Sequence, residues 1–500
     1  MAEYRLTPDG VQARPLTKEE REILQLAEAR LTQVRVPKLM ESSHDRVYVA
    51  AMDGTGNDRI DHFASRTIVA RLGDELRDLG NPAISVGYTS GIGTQDRFLT
   101  RAIDRMAATT FDARVEHAYL ELCRQAYWWL KDDSEARIRV AGIGFSRGAE
   151  AVAALQRMVH ERGIRDPGAS ESRYGPDGIL THITWADRPP LVPPGQTAQI
   201  ALLIDPVATG LRDHDRRLPA SNVGALQFTS LHERRDHFQG TLLVPLGLSE
   251  GGRVANLPVP GAHSNAGGSY LLDGIGRVVH NAGVDYLNSA FGEALLQRVP
   301  VAIDPRMFVA HRSDQHMAGF WPSGEWRRKG VRGLHAGLGP SCEPAGTRPR
   351  PRPKSCLRDP IDHRLADELD YRHVERGRPP GGTDTKMELA QVAIGRMYER
   401  FPTPLDHAMA ANPAPGSAQV LKARDGLQEK FEQLVEASRQ SDELAFKAAT
   451  RAYMATPVGQ IFKPGFTAVQ AWMTQVQAPA ELSRPLAQHQ YQQLEPAMQP

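Results

Sequence analysis

One short segment carries residues whose types and spacing could form a covalent catalyst. Gly144, Ser146 and Gly148 make a Gly-x-Ser-x-Gly pattern, preceded by a β-type run at 137–143 and followed by a helical run at 148–155. In that setting the serine occupies a strained strand-to-helix turn, and the flanking glycines leave room for the turn. The helix N-terminus then points at the oxygen on which negative charge develops. The pattern predicts that Ser146 is a nucleophile, with a structural Gly/Ser turn as the alternative.

A nucleophilic serine needs a base and an acid, and in this architecture the acid and then the histidine follow the serine along the chain. Asp205 ends the apolar run 200–204, and open α/β sheets place their sites at the carboxyl ends of buried strands. His263 lies in a glycine-rich loop after that acid, although the chain has 17 histidines in all. We predict that Asp205 and His263 complete a triad with Ser146. Asp205 could instead cap a turn beside Pro206.

The segment that follows the first apolar run offers donors for a developing oxyanion. Asp53, Gly54 and Thr55 form a glycine-rich turn that lacks the lysine of a phosphate-binding loop. A backbone N–H of Gly54 or Thr55, together with that of Arg147, would form the oxyanion hole. Asp53 could hold a cation, but no cluster of carboxylates surrounds it in the sequence, so we expect no metal.

Five apolar runs that alternate with helical stretches must position these side chains. The runs are 46–52, 137–143, 199–204, 223–229 and 241–246. Buried runs separated by helices predict an α/β fold with a mainly parallel sheet flanked by helices. Residues 162–197 are rich in Gly, Pro and Ser, and we interpret them as a long surface insertion.

Changes in composition divide the chain into four predicted regions. Residues 1–45 form an N-terminal extension with a helix that begins at a capping box from Thr17 to Glu20. Residues 46–336 form the catalytic domain, and 337–384 form a linker rich in Pro, Arg and Gly. Residues 385–500 form a mostly helical region with a Gln-rich tail.

Overall composition excludes several classes of protein. The 500 residues include 60 Lys and Arg and 59 Asp and Glu, so a net charge of +1 favours neither nucleic acid nor an anionic membrane. The three cysteines, Cys123, Cys342 and Cys356, are too few for a disulfide framework. The N-terminus does not resemble a secretory signal, and no apolar run reaches about 18 residues. We expect synthesis as a soluble cytoplasmic chain that a dedicated machine must export if it leaves the cell.

Six segments, in order along the chain, resemble the type VI secretion phospholipase-effector family of bacteria. They are 49–57, 88–94, 144–149, 204–207, 231–238 and 261–268. The resemblance covers about residues 46–320 and implies an α/β-hydrolase catalytic domain with the triad Ser146, Asp205 and His263. Further support for the family motifs comes from Asp53, Gly144, Gly148, Gly261, Gly267 and Gly268. Two residues depart from the pattern: Pro206 replaces a threonine, and Asn265 replaces an acid.

The resemblance also implies a substrate, a route of delivery and partner proteins. It implies a serine-dependent phospholipase of the A type that needs no cofactor and acts on membrane phospholipids, not on nucleic acid. It further implies an antibacterial toxin delivered into target cells or their periplasm, with secretion spike or adaptor proteins and a cognate immunity protein as partners. A soluble esterase without a membrane role, or a degenerate hydrolase fold that serves as a scaffold, are the alternatives.

A lipase must also let an acyl chain reach its nucleophile. The insertion 162–197 follows the helix after Ser146 and carries several apolar side chains. Long loops beside a site often act as lids. We predict that this insertion borders the acyl groove and that Trp185 contacts lipid, with a surface excursion of no function as the alternative.

Overall fold

The structure is a computed structural model that describes most of the first 400 residues. The described residues are 4–60, 65–91, 111–174, 180–209, 211, 215–315, 323–335, 361–378, 381 and 384–399. The chain divides into one compact unit, Met1–Phe401, and a second, Pro402–Pro500. The predicted Gln-rich tail and most of the predicted C-terminal helical region lie outside the described residues, as do 337–360 of the predicted linker.

Strands and helices alternate along most of the described chain. The helices are α1 Lys18–Leu31, α2 Ile68–Asp78, α3 Phe111–Asp132, α4 Arg147–Arg162, α5 His263–Gly267, α6 Gly274–Phe291, α7 Gly324–Lys329, α8 His363–Asp367 and α9 Thr385–Glu399. The strands are β1 Arg5–Leu6, β2 Gln12–Pro15, β3 Arg35–Pro37, β4 Asp45–Met52, β5 Ile84–Thr89, β6 Arg137–Phe145, β7 Ser170–Tyr174, β8 Leu180–Trp185, β9 Gln199–Ile204, β10 Asn222–Ser230, β11 Gly240–Thr241, β12 Gly247–Leu248, β13 Val254–Val259, β14 Val309–His311, β15 Leu334–His335 and β16 Tyr371–His373. No helix among the described residues is both long enough and apolar enough to cross a bilayer.

The largest sheet has seven strands in the order β12-β13-β10-β9-β6-β4-β5. All neighbours in it pair in parallel except β12, which lies antiparallel to β13. The predicted strands at 46–52, 137–143, 199–204 and 223–229 are confirmed as β4, β6, β9 and β10. The prediction of a mainly parallel sheet flanked by helices is therefore confirmed for the described part of the chain.

Each face of this sheet is covered by helices. Along β4, Val47, Val49 and Ala51 pack into one buried cluster with α1, α2 and α6. The alternate residues Tyr48 and Ala50 pack with α3 and α4 in a second cluster. Because successive side chains of a strand point to opposite faces, this continuous apolar run serves both layers at once.

The fifth predicted strand, 241–246, is wrong. Only Thr241 of that run lies in a strand, where β11 pairs with β15, and the rest forms a loop in which Leu243 and Val244 are buried and Leu246 is exposed. Pro245 lacks a backbone N–H, and the N–H of Val244 donates to the side-chain oxygen of Gln227, so this run does not continue a ladder. On the side of β10 away from β9, the neighbouring strand is β13, which the sequence analysis did not identify.

Two terminal regions pack onto this sheet. The predicted capping box is present at the start of α1, where Glu20 N–H donates to the Thr17 hydroxyl and Thr17 N–H to the Glu20 carboxylate. Near the other end, β16 pairs with β3, and Lys386 of α9 donates to the carbonyl of Gly268 at 2.8 Å. The compact unit extends to Phe401 and so includes α9.

Close packing of α4 on β6 gives a test of this arrangement. A Cβ added to Gly142 in β6 would lie 2.2 Å from Cγ1 of Val152, whose branched side chain has little freedom to move. Gly142→Ala should lower the free energy of unfolding by about 1–3 kcal/mol, as overpacking of a core does. Urea unfolding would measure it, with Gly251→Ala as the control because nothing lies within 4 Å of a Cβ there. Equal unfolding midpoints for the two variants would contradict this packing.

Candidate active site

Ser146 sits in a strained turn between β6 and α4. Its φ and ψ are 58° and −128°, and among the described residues only Ser146 and Asp205 have positive φ without being glycine. A Cβ on Gly148 would lie 2.1 Å from the carbonyl oxygen of Met52, and one on Gly144 would lie 2.5 Å from Cα of Ala149. Both flanking positions therefore require glycine, for the steric reason that the sequence pattern predicts.

The acid lies on the neighbouring strand, directly after β9. Phe145 pairs with Ile204 in the ladder, so Ser146 and Asp205 follow adjacent strands at the same edge of the sheet. The N–H of Ser146 donates to the carbonyl of Ile204 at 3.0 Å, and that of Val207 donates back to Ser146 at 3.4 Å. The structure thus brings together two residues that are 59 positions apart in sequence.

His263 is the first residue of α5, and its imidazole contacts Asp205. Its Nδ1 is 2.5 Å from Oδ2 of Asp205. An ionised carboxylate can only accept, so Nδ1–H donates and Nε2 is left to act as a base. The Phe145 ring stacks on the imidazole with centroids 4.5 Å apart. The described hydrogen bonds include none from Ser146 Oγ to Nε2, a contact that in enzymes often tightens only with substrate bound.

Burial and charge set the protonation states of this pair. Burial opposes ionisation of Asp205, but Arg332 and His263 outweigh it and hold the pKa of that carboxyl well below its usual range. Burial also lowers the pKa of His263, against the opposing effect of Asp205. At neutral pH the arrangement is an Asp205 carboxylate beside a neutral imidazole, which is the state a general base requires.

A second buried ion pair supports the backbone of His263. Glu233 accepts from the guanidinium of Arg235 at 2.8 and 3.0 Å and from the backbone N–H of His263 at 3.2 Å. Burial opposes ionisation of Glu233, but Arg235 prevails and lowers its pKa to about 2. Arg235 also lies 3.4 Å over the ring of Phe238, which forms a T-shaped pair with the His263 ring. Glu233 and Arg235 both belong to the 231–238 segment, for which the sequence analysis predicts no individual role.

Arg332 is a buried contact of the acid that the sequence analysis missed. Its Nη1 donates to Oδ1 of Asp205 at 2.6 Å, while the N–H and hydroxyl of Ser230 donate to the same carboxylate at 2.9 and 2.8 Å. Arg332 lies 127 residues after Asp205 and in none of the recognised motifs. Only the folded chain brings it to Asp205.

The predicted oxyanion donors lie beside the elbow. A Cβ on Gly54 would come within 3.2 Å of Cβ of Ser146, so the turn after β4 contacts Ser146. The N–H of Gly54, however, donates to Oδ1 of Asp53 at 2.7 Å. Because the Gly54 N–H is engaged in that bond, the N–H of Thr55 is the better candidate for the second oxyanion donor, beside the backbone N–H of Arg147. The Arg147 side chain also donates to the Thr55 hydroxyl at 2.7 Å, which ties the two segments together.

Asp53 is structural in this arrangement. Its buried carboxylate accepts from the hydroxyls of Thr67, at the start of α2, and of Tyr88, in β5, at 2.8 to 2.9 Å. These bonds hold the oxyanion turn against two neighbouring elements. Among the described residues, no group of three or more His, Cys, Asp or Glu side chains could hold a metal ion.

Trp185 ends the β7–β8 hairpin, which forms much of the predicted insertion. Its ring lies 5.6 Å from that of Tyr119 in α3, and the Arg165 guanidinium lies 5.4 Å above it. The insertion leaves the C-terminal end of α4, whose 16 residues span about 24 Å from Ser146. The described contacts do not bring Trp185 to the triad, and its contact with an acyl chain stays a prediction.

Comparison with protein families gives a match that includes the elbow. Residues 46–175 match the family described as T6SS, Phospholipase effector Tle1-like, catalytic domain. The resemblance to type VI secretion phospholipase effectors is thereby confirmed. The matched residues run from β4 through the oxyanion turn and Ser146, and end before Asp205 and His263. None of the curated proteins matches this chain.

Two solved structures were also compared with the chain. An uncharacterized protein from Pseudomonas aeruginosa shares 14% identity at a TM-score of 0.33, over 87% of this chain and 65% of that one. The Tle1 effector, solved bound to the VgrG spike of the Type 6 secretion system, shares 20% identity at a TM-score of 0.26, over 45% of this chain and 51% of that one. The chain therefore spans less than two thirds of the length of either protein.

Asn265, one of the two departures from the effector-family pattern, makes four polar contacts in this structure. Its Oδ1 accepts from the backbone N–H groups of Ala262 and His311 at 3.0 and 3.2 Å. Its Nδ2 donates to the carbonyl of Val309 at 3.1 Å and to Nδ1 of His311 at 2.9 Å. The amide thus fastens α5 to β14, a role that needs both a donor and an acceptor.

Restoring an acid at this position should therefore weaken the protein. Asn265→Asp replaces the donor with an acceptor that faces the Val309 carbonyl, and a buried group left without a partner costs about 1–3 kcal/mol. Urea unfolding at pH 8 would measure the loss. Asn81→Asp is the control, because Asn81 uses only its acceptor oxygen, toward Ala83. If Asn265→Asp is as stable as the control, the amide donor does not hold α5.

Proposed function

We propose that this chain is a serine-dependent lipolytic esterase of the α/β-hydrolase type, which hydrolyses ester bonds of glycerophospholipids. The observation that carries the proposal is the placement of Ser146, Asp205 and His263. All three follow parallel strands at one edge of the sheet, with the serine on a strained elbow and the His263–Asp205 pair buried beside it. The effector-family match supports a phospholipid as the substrate.

In the proposed reaction His263 Nε2 takes the proton of Ser146 as Oγ attacks the acyl carbonyl. The negative oxygen of the tetrahedral intermediate is held by backbone N–H groups of Arg147 and Thr55. The imidazolium then protonates the leaving lysophospholipid oxygen as the ester bond breaks. Water, deprotonated by the same imidazole, attacks the acyl-enzyme; the bond from the acyl carbon to Ser146 Oγ breaks, the imidazolium returns the proton to Oγ, and the fatty acid is released. Asp205 keeps Nδ1 protonated throughout and stabilises the imidazolium.

We also propose that the protein is an antibacterial effector delivered by type VI secretion into target cells or their periplasm. The family match supports this proposal. Delivery of this kind requires a spike or adaptor protein that carries the effector, and a cognate immunity protein in the producing cell. Co-purification of the effector with each candidate, expressed together, would test these partners.

Loss of the nucleophile tests the proposed chemistry directly. Ser146→Ala should abolish hydrolysis of mixed phospholipid vesicles, because removing a triad nucleophile typically costs about six orders of magnitude in rate. Covalent labelling by a fluorophosphonate should disappear with it, while Ser43→Ala, a change at an exposed serine, should leave both intact. Residual activity at about a tenth of wild type would overturn the assignment of Ser146. A wild type that cleaves short soluble esters but not vesicles would favour an esterase without a membrane role.

The acid makes a distinct prediction. Asp205→Asn should retain the fold but lower kcat by roughly four orders of magnitude, because an amide at this position favours the wrong imidazole tautomer. Turnover of a short p-nitrophenyl ester would measure the loss, with the exposed Asp78→Asn as the control. Near wild-type turnover of Asp205→Asn would mean that another acid orients His263.

A further inference from the structure

Arg332 holds a larger part of the site than its bond to the acid alone. The residue lies between α7 and β15, and its side chain is 3% exposed. Nη1 donates to Asp205 Oδ1 at 2.6 Å and to the carbonyl and hydroxyl oxygens of Ser230 at 2.8 and 2.9 Å. One guanidinium nitrogen thus fixes both the carboxylate and the strand end that donates to it.

The other side of the same guanidinium reaches the aromatic neighbour of the base. Nε and Nη2 donate to the backbone carbonyl of Phe238 at 3.0 and 2.8 Å. The Phe238 ring meets that of His263 edge-on, with centroids 5.2 Å apart. Arg332 therefore bridges the acid on one flank of the imidazole and the aromatic ring on another. Such a planar fork of fixed donors is a geometry that lysine does not reproduce.

The segment that carries Arg332 is fastened to the same region. Leu334 pairs with Gly240 between β15 and β11, and the N–H groups of Gly324 and Glu325 donate to Asp236 at 2.9 and 3.0 Å. Asp236 belongs to the short helix that ends at Phe238. The 323–335 segment thus packs on the loop that follows β10, and this packing places the Arg332 guanidinium beside Asp205.

We propose that Arg332 is a positioning residue of the triad: it holds Asp205 and Phe238 in place around His263. Catalysis then depends on the packing of the 323–335 segment against the loop that follows β10. This inference rests on the proposed serine-hydrolase function. It assigns a role to a residue outside the family-matched part of the chain and outside every motif of the sequence.

The charges around the imidazole give this role a measurable sign. His263 faces two carboxylates, Asp205 and Glu233, and two guanidinium groups, Arg235 and Arg332. Burial is the largest effect on the pKa of His263 and lowers it, whereas Asp205 raises it. The positive charge of Arg332 lowers this pKa further. Removal of that charge should raise the pKa of His263. Because only the neutral imidazole acts as the base, the acid limb of activity would then move to higher pH.

The experiment measures kcat and KM of a short soluble p-nitrophenyl ester from pH 5 to 9. For Arg332→Met we expect kcat to fall about 10–100-fold, as misplacement of catalytic groups does, with KM nearly unchanged and the acid limb moved to higher pH. Arg332→Lys keeps the charge but not the fork, so its acid limb should stay at the wild-type position while kcat falls. Arg139→Met is the matched control, since it removes another buried arginine, paired with Asp45 at the opposite edge of the sheet.

Each outcome decides the proposal. If the acid limb of Arg332→Met does not move, or if its kcat loss is no larger than that of Arg139→Met, Arg332 only stabilises the fold and the positioning proposal is wrong. If thermal melting shows that Arg332→Met is unfolded, Arg332→Lys tests the proposal in its place. A wild-type kcat in Arg332→Lys would show that the planar guanidinium is not needed and would overturn the proposal. Wild-type ester hydrolysis that survives Ser146→Ala would instead contradict the proposed function, independently of Arg332.

Discussion

The buried charge of Asp205 is the constraint around which the rest of the site is arranged. Removal of a carboxylate from water is costly unless it is paired and hydrogen-bonded. Asp205 has no exposed surface, and it accepts from His263, Ser230 and Arg332. These partners come from α5, β10 and the 323–335 segment. Three elements distant in sequence must therefore meet at the end of β9 for the charge to be stable there.

A second constraint, backbone strain, acts at the same place. Non-glycine residues held at positive φ cost of order 1–3 kcal/mol each and persist only where their surroundings determine them. Here Ser146 and Asp205, on neighbouring strands, both have positive φ, and backbone hydrogen bonds to Ile204 and Val207 join the two turns. A plain structural turn after β6 would account for neither the second strained residue nor its charged partners. Coincidence of strain, burial and charge at one edge of the sheet supports a catalytic interpretation more than the serine pattern does by itself.

Much of this arrangement could be predicted from sequence because it depends on local patterns. Continuous apolar runs identify β4, β6, β9 and β10, since strands buried on both faces have no polar side. The elbow glycines are predictable because the backbones that meet there exclude a Cβ. β13 was missed because its run, VANLPV, contains a buried asparagine and a proline. Arg332 was missed because nothing in its neighbours signals burial, and its partner is 127 residues away.

Contacts between distant segments also connect α9 to the helix that carries His263. Gly268, which ends α5, offers its carbonyl to Arg71 of α2 at 3.0 Å and to Lys386 of α9 at 2.8 Å. Lys386 is buried beside Asp273 at 3.1 Å. The helix that begins with the proposed base is therefore held at its other end by cations from both sides of the Pro/Arg-rich tract. That tract precedes α9 in the chain, and α9 lies in the same compact unit as the sheet. A chain cut at residue 384 would lose one of the two cations that hold the end of α5, so the packing around the proposed base depends on α9.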